Sequence, residues 1–199
     1  MNLRWLAWGV GAAALYLAAS LLTWRLVPGP AIRILYEGNI PLAPYHWVAP
    51  PPALAGSNEA PTPAAGSVPL GVRPSTITTP DGQAIVVFPE GAVTPRAGES
   101  SADVKITPLD PAKVAPPPKG LRFDGNAYRI EVVYSASKAP VTLVKPCPVV
   151  LRYPIHTTEL LLFSPSGWVS IKGAQTVSAT LQVFASVDHL GIFVAAAPL

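Results

Sequence analysis

The chain is poor in the residue types that build most disulfide, metal and nucleic-acid sites. Its 199 residues include one Cys, one Met and three His, and 13% are charged. One Cys cannot form an internal bridge, so a disulfide-stapled mini-protein is excluded. The net charge of +3 comes from scattered residues, without the basic block that marks a nucleic-acid surface. We therefore expect no nucleic-acid partner.

Proline, by contrast, is abundant, with 25 residues, and there are 15 glycines. Proline costs about 3 kcal/mol inside a helix, which argues against a long helical bundle. The glycines have no three-residue period, which excludes collagen.

An apolar run near the N-terminus has the length of a membrane-spanning helix. Residues 5–24 form a 20-residue stretch without a charge, bracketed by Arg4 and Arg25. A helix rises about 1.5 Å per residue, so the stretch would span about 30 Å, the thickness of the bilayer hydrocarbon. We expect a single-pass anchor over residues 1–27, ended by Pro28 and contacting the membrane through residues 5–24. A cleaved signal peptide and a buried core helix are the alternatives.

Charge alone does not fix the orientation of this anchor. Arg4 lies on the short side, and Arg25 and Arg33 lie on the long side, which is nearly a tie under the positive-inside rule. An N-terminal anchor with almost nothing before it usually exports the bulk of the chain. We expect a small cytoplasmic tip and an extracytoplasmic C-terminal domain.

Residues 28–74 are predicted to form a proline-rich stalk or strap. They hold 11 prolines in 47 residues and few charges. The three prolines at 50–52 favour extended polyproline II. The sequence Tyr45-His46-Trp47-Val48 is too apolar for a free tether. It could strap onto the folded domain, lie in the membrane interface or act as a proline-rich ligand. The strap is favoured because no basic residues accompany the aromatic ones.

Residues 75–199 are predicted to form an all-β domain, an antiparallel two-sheet sandwich. Short apolar-alternating runs lie between turn residues, and Pro80-Asp81-Gly82 predicts a hairpin turn. In residues 128–134, Ile130 and Val132 share one face, while Arg129 and Glu131 share the other. The predicted strands are residues 75–79, 83–88, 102–107, 128–134, 149–153, 160–163, 168–171, 176–184 and 190–196.

One segment resembles a known family. Residues 81–93, with the sequence DGQAIVVFPEGAV, resemble the opening hairpin of the ZU-type domain, the β-sandwich of zona occludens proteins, netrin receptors and ankyrins. Residues 104–109, 128–134 and 145–154 continue the family's pattern in order. The resemblance covers residues 75–154, and more loosely the chain to 193. The chain as a whole looks like a bacterial membrane-anchored form of such a protein. It implies protein–protein interaction and scaffolding rather than catalysis.

Some members of that family cleave themselves at a His-Phe-Ser motif. The comparable residues here are His189, Leu190 and Gly191. Self-cleavage needs a side-chain nucleophile, and Gly191 has none. The resemblance therefore predicts that this chain does not cut itself here.

The polar residues that could carry chemistry are few and scattered. The three histidines are His46, His156 and His189, with no H-x-x-x-H spacing, so we expect no metal site. Asp188 and His189 with Ser178 or Ser186 could be read as part of a triad, but no G-x-S-x-G elbow exists. Asp103, Asp110 and Asp124 match no calcium loop. Cys147, between two prolines, is expected to be a small buried hydrophobic residue, although pairing between chains is an alternative.

The function expected from these features is a membrane-anchored, extracytoplasmic protein-interaction or structural module. We expect no catalysis, no cofactor and no metal, and another protein as the partner. The alternative is an enzyme accessory or hydrolase-type domain, with a site assembled from the loop residues Arg122, Asp124, His156 and Glu159. A clustered set of buried carboxylates or histidines with strongly shifted pKa values would favour the enzyme, and an exposed apolar patch on one sheet face would favour the binding module.

Overall fold

The regular structure of the described residues is β-strand, interrupted by three single turns of 3-10 helix. A computed structural model of the chain describes residues 42–71 and 73–199. The described strands all lie within the compact unit Pro44–Leu199. The strands are β1 (Ala64–Pro69), β2 (Ser75–Thr78), β3 (Ala84–Phe88), β4 (Ser101–Leu109), β5 (Leu121–Tyr134), β6 (Cys147–Arg152), β7 (Glu159–Ser164), β8 (Gly167–Ser170), β9 (Gln175–Val177), β10 (Gln182–Val187) and β11 (Ile192–Pro198).

The strands form two antiparallel sheets, which confirms the predicted all-β sandwich. The six-stranded sheet has the order β1-β4-β5-β11-β7-β8, and the five-stranded sheet has the order β2-β3-β6-β10-β9. Every strand pair in both sheets is antiparallel. The predicted anchor over residues 1–27 lies outside the described residues. Within the described part of the chain, no helix has the length and apolar character needed to cross a membrane.

The hairpin predicted at Pro80-Asp81-Gly82 is confirmed. It joins β2 to β3, with Thr78 opposite Ile85. Asp81 Oδ1 accepts hydrogen bonds from the Thr79 hydroxyl, at 2.6 Å, and from the Gln83 N–H, at 3.0 Å. Gly82 takes φ +67°, which glycine adopts without steric cost.

The proline-rich segment contributes a strand that the sequence did not predict. β1 pairs with β4 along its full length, from Ala64 opposite Ile106 to Pro69 opposite Ser101. Ala64 and Val68 point into the core, and the residues between them are small or exposed. The alternation is present but carried by Ala, Gly and Ser, so hydrophobic periodicity alone does not reveal it.

The strand predicted over residues 176–184 is wrong, because the chain reverses within it. β9 ends at Val177, a 3-10 turn covers Ser178–Thr180, and β10 begins at Gln182 opposite Val177. Leu181 takes the left-handed conformation at φ 50°, which ends the turn.

The main core lies between the two sheets. Its largest fully buried members come from both sheets and include Phe88, Tyr128, Leu151, Leu160 and Phe193. In β5 the predicted faces are confirmed: Tyr128, Ile130 and Tyr134 are buried, whereas Arg129 and Glu131 are exposed.

A second apolar layer covers part of the outer face of the six-stranded sheet. Ala127, Leu161 and Val194 alternate with core residues along β5, β7 and β11, so they point away from the main core. Trp168 packs edge-on against Phe123 and Phe163, and its indole N–H donates to the Ala115 carbonyl at 3.2 Å. The proline-rich loop that contains Ala115 therefore covers this face, which explains why the central strands are apolar on both sides.

Candidate functional site

A cluster of polar groups in the sandwich binds a segment of the same chain that precedes β1. We call residues 45–48 the strap. The Tyr45 hydroxyl oxygen accepts a hydrogen bond from the Asn126 backbone N–H at 2.9 Å. Burial, as the largest cause, raises the pKa of Tyr45 well above its ordinary value. The strap is therefore a packed part of the fold, as the favoured interpretation of its aromatic residues requires.

Gly125 makes room for the Tyr45 ring. It has φ +113°, a conformation that residues with a side chain rarely adopt. A Cβ atom there would collide with the Tyr45 hydroxyl and would lie 3.2 Å from Pro154 Cδ. The missing side chain creates the slot into which the phenol fits.

Asn126 binds the backbone of the strap through both ends of its amide. Its Oδ1 accepts from the Val48 N–H at 2.8 Å, and its Nδ2 donates to the His46 carbonyl at 2.7 Å. The two groups belong to residues i and i+2 of the strap, so one side chain imitates the hydrogen-bonding edge of a neighbouring strand. The Asn126 side chain therefore recognises backbone groups only, whereas the slot at Gly125 accepts a particular side chain, that of Tyr45.

A second asparagine closes the chain into a loop just beyond the strap. Asn58 Oδ1 accepts from the Trp47 N–H at 2.8 Å, and Asn58 Nδ2 donates to the Trp47 carbonyl at 3.0 Å. The rings of Tyr45 and Trp47 meet edge to face with centroids 4.9 Å apart. We call residues 49–57, which these bonds enclose, the apolar loop.

Behind the strap lies a layer of buried polar atoms. The Tyr128 hydroxyl donates to Gln83 Oε1 at 3.0 Å, and burial raises the pKa of Tyr128 far above its ordinary value. Gln83 is fully buried. Among the residues that the structure describes, Gln83 Nε2 and Asp81 Oδ2 have no hydrogen-bond partner.

The four residues of the alternative enzyme site are only partly brought together. Asp124 is 2% exposed, and its Oδ2 accepts from the His156 backbone N–H at 2.7 Å and the Thr157 hydroxyl at 3.3 Å. Arg122 Nη1 lies 3.9 Å from Asp124 Oδ1. Glu159 instead accepts a hydrogen bond from the Ser170 hydroxyl across β7 and β8. The carboxylate of Asp124 thus holds the backbone of the 156–157 loop.

The other candidate residues lie in structural settings. Asp103 is bound by Lys138 Nζ and the Ser135 hydroxyl, which lower its pKa, and Asp110 caps the 3-10 turn at Pro111–Lys113. Within residues 42–71 and 73–199, no three His, Cys, Asp or Glu side chains gather as a metal site would require. Asp188, His189 and Gly191 border a shallow groove of about 560 Å³ beside Arg129 and Glu131.

Cys147 is buried, as predicted. Its thiol lies 3.7 Å from the Lys145 carbonyl, and burial raises its pKa to about 11.

Comparison with known proteins assigns no relationship: no protein-family model and no curated protein matches the chain.

We expect Asn126→Ala to release the strap. The substitution leaves the Val48 N–H and His46 carbonyl without their partner, at a cost of about 1–3 kcal/mol in unfolding free energy. Amide hydrogen exchange should then be fast at Val48. Asn58→Ala is the matched control, since it should expose the Trp47 amide and leave Val48 protected. Equal protection of Val48 in Asn126→Ala and the unmodified protein would show that the side chain does not hold the strap.

Asp124 should make stability depend on pH. Burial is the largest cause of its raised pKa, and it outweighs the opposing effects of the His156 N–H, Arg122 and Thr157. A folded pKa above the unfolded one means that the folded state binds more protons, so this group's contribution falls as pH rises from about 4 through the folded pKa. Asp124→Asn should lose this fall in denaturant titrations run across that range. Glu131→Gln, on the exposed face of β5, is the control. A pH dependence in Asp124→Asn equal to that of the unmodified protein would contradict the assignment.

Proposed function

We propose that the chain is a membrane-anchored protein-interaction or structural module whose sandwich is displayed outside the cytoplasm. The observation that carries the proposal is the docking of the strap. The apolar run at residues 5–24 has the features of an anchor, and the chain that follows it enters the sandwich at Tyr45. A segment fixed in this way limits the tether between the anchor and the domain to the residues before 45.

The two edges of the five-stranded sheet support a role in binding another protein. β2 and β9 are the edge strands of the five-stranded sheet. Their sequences, STIT and QTV, contain no charged residue and no proline. Each has one side without a partner in its sheet, and at four and three residues these strands could accept only a short strand from another protein. The resemblance to ZU-type domains points in the same direction, toward scaffolding.

The use made of the buried polar groups also favours a module over a hydrolase-type site. The Asn126 side chain binds the backbone of the strap, and the Tyr45 hydroxyl accepts a hydrogen bond from the Asn126 N–H. The Asp124 carboxylate accepts a hydrogen bond from the His156 backbone N–H. A catalytic group needs to reach a substrate, whereas these groups are committed to the fold.

Membrane fractionation tests the proposal. The full chain, expressed in bacterial cells, should stay with the membranes through a high-salt wash and leave them only in detergent. Removal of residues 1–27 should release the remainder as soluble protein. A truncated chain that still sediments with washed membranes would contradict the single-anchor proposal.

A further inference from the structure

The apolar loop has a composition that is unusual for an exposed segment. Residues 49–57 contain no charged residue, and all of them except Pro50 are exposed. Leu54, in its 3-10 turn, is 45% exposed. The loop is nevertheless ordered: backbone bonds join Leu54 to Pro51 and Ser57 to Leu54, and the Asn58 side chain closes its base. The protein therefore presents an exposed apolar loop whose conformation is held by hydrogen bonds.

More apolar surface lies beside the point where the strap is docked. Ile155 is 67% exposed and follows Pro154, which packs beside the Tyr45 slot at Gly125. Val48, the last strap residue, is also exposed. The charged or titratable groups at the base of the loop are Glu59 and His46, 3.9 Å apart, and His156 is exposed next to Ile155. The apolar loop itself thus contains no charged or titratable group, and those nearby lie at its base.

The conformation of the loop disfavours a proline-rich ligand. Pro51 has polyproline II angles, φ −56° and ψ 148°, but Pro52–Leu54 turn into a 3-10 helix. Domains that bind proline-rich peptides need a continued polyproline II segment, which the turn interrupts.

We propose that the apolar loop dips into the interfacial region of the bilayer in which the chain is anchored. This inference rests on the proposed function. Residues 28–44 are all that separate the predicted anchor, residues 1–27, from the strap, and these 17 residues reach at most about 60 Å when extended. The tether keeps the loop at high effective concentration near the bilayer, so shallow insertion of Leu54 and its apolar neighbours suffices. Trp47 lies at the loop's base, where Asn58 holds its backbone, and an indole ring favours the headgroup region.

Depth-dependent fluorescence quenching tests the inference on the full chain. Leu54→Cys is labelled with an environment-sensitive fluorophore, and the buried native Cys147 stays unlabelled. Val144→Cys is the matched control, because Val144 is apolar and 58% exposed. It precedes β6, whereas Pro154 beside the strap follows that strand, so the two labels lie toward opposite ends of the sandwich.

The labelled chains are reconstituted in phosphatidylcholine vesicles carrying lipids with a shallow spin label. The Leu54→Cys label should be quenched at least about twofold more than the Val144→Cys label, with emission shifted to the blue. Chains that float with the vesicles while both labels stay equally water-exposed would overturn the loop inference and leave the anchor standing. Chains that do not float would overturn the anchor and the loop inference together. A Leu54→Cys label that is shielded only in native membranes, and not in pure lipid, would assign the loop to a protein partner and overturn the lipid inference.

Discussion

Ile130→Ala is expected to lower the free energy of unfolding by about 2–5 kcal/mol, because it removes buried methyl groups and leaves a cavity. Ile130 is 2% exposed, lies opposite Ile106 of β4 and belongs to the core between the sheets. Denaturant titration of the purified variant measures the loss.

Arg129→Ala, one residue away on the exposed face, is the control and should stay within about 0.5 kcal/mol. Equal losses, or a larger loss in Arg129→Ala, would mean that the register of β5 is wrong.

Gly125→Ala should lower the free energy of unfolding by about 2–5 kcal/mol, because the new Cβ adds both backbone strain and a steric clash. The residue has φ +113°, and the new Cβ would collide with the Tyr45 hydroxyl. Chemical denaturation, followed with amide exchange at the strap, should show both a less stable domain and a released Tyr45.

Gly98→Ala separates the two penalties. Gly98 has φ +81° with nothing near its missing Cβ, so the substitution there adds backbone strain alone, about 1–2 kcal/mol. If Gly125→Ala cost no more than Gly98→Ala, the contact with Tyr45 would contribute nothing to the strap's docking.

The sequence predicted those parts of the fold that local chemistry determines. Pro80-Asp81-Gly82 determines a turn through its own backbone preferences, and Arg129 and Glu131 mark the exposed face of β5 by simple alternation. Cys147 lies buried for the ordinary reason that a small thiol behaves as a hydrophobic residue.

Other parts depend on contacts between residues far apart in sequence. The first half of β5 contains Asp124-Gly125-Asn126, which would normally indicate a turn, yet it continues the strand. It does so because its polar groups bind residues 45–48 and 156–157, about 30 to 80 positions away. β1 was missed for a similar reason, since its small residues gain their strand structure from pairing with β4.

The sequence predicts the strap of the candidate site but not the residues that bind it. Tyr45 and Trp47 stood out as aromatic residues in a proline-rich segment, which was enough to favour a strap. Asn126 and Asn58, which hold it, carry no sequence signal of their own, because a single Asn is common in loops and caps. Only their spatial neighbours reveal what they bind.

The measurement that tests the central proposal most directly is labelling of intact cells with a membrane-impermeant thiol reagent. Val144→Cys places an exposed thiol on the sandwich, while the native Cys147, buried and with its pKa raised to about 11, stays unreactive. Asn2→Cys places a thiol ahead of the predicted anchor. In a membrane-anchored module displayed outside the cytoplasm, Val144→Cys is labelled in intact cells and Asn2→Cys only after permeabilisation. Labelling of Val144→Cys only after permeabilisation would contradict the proposal.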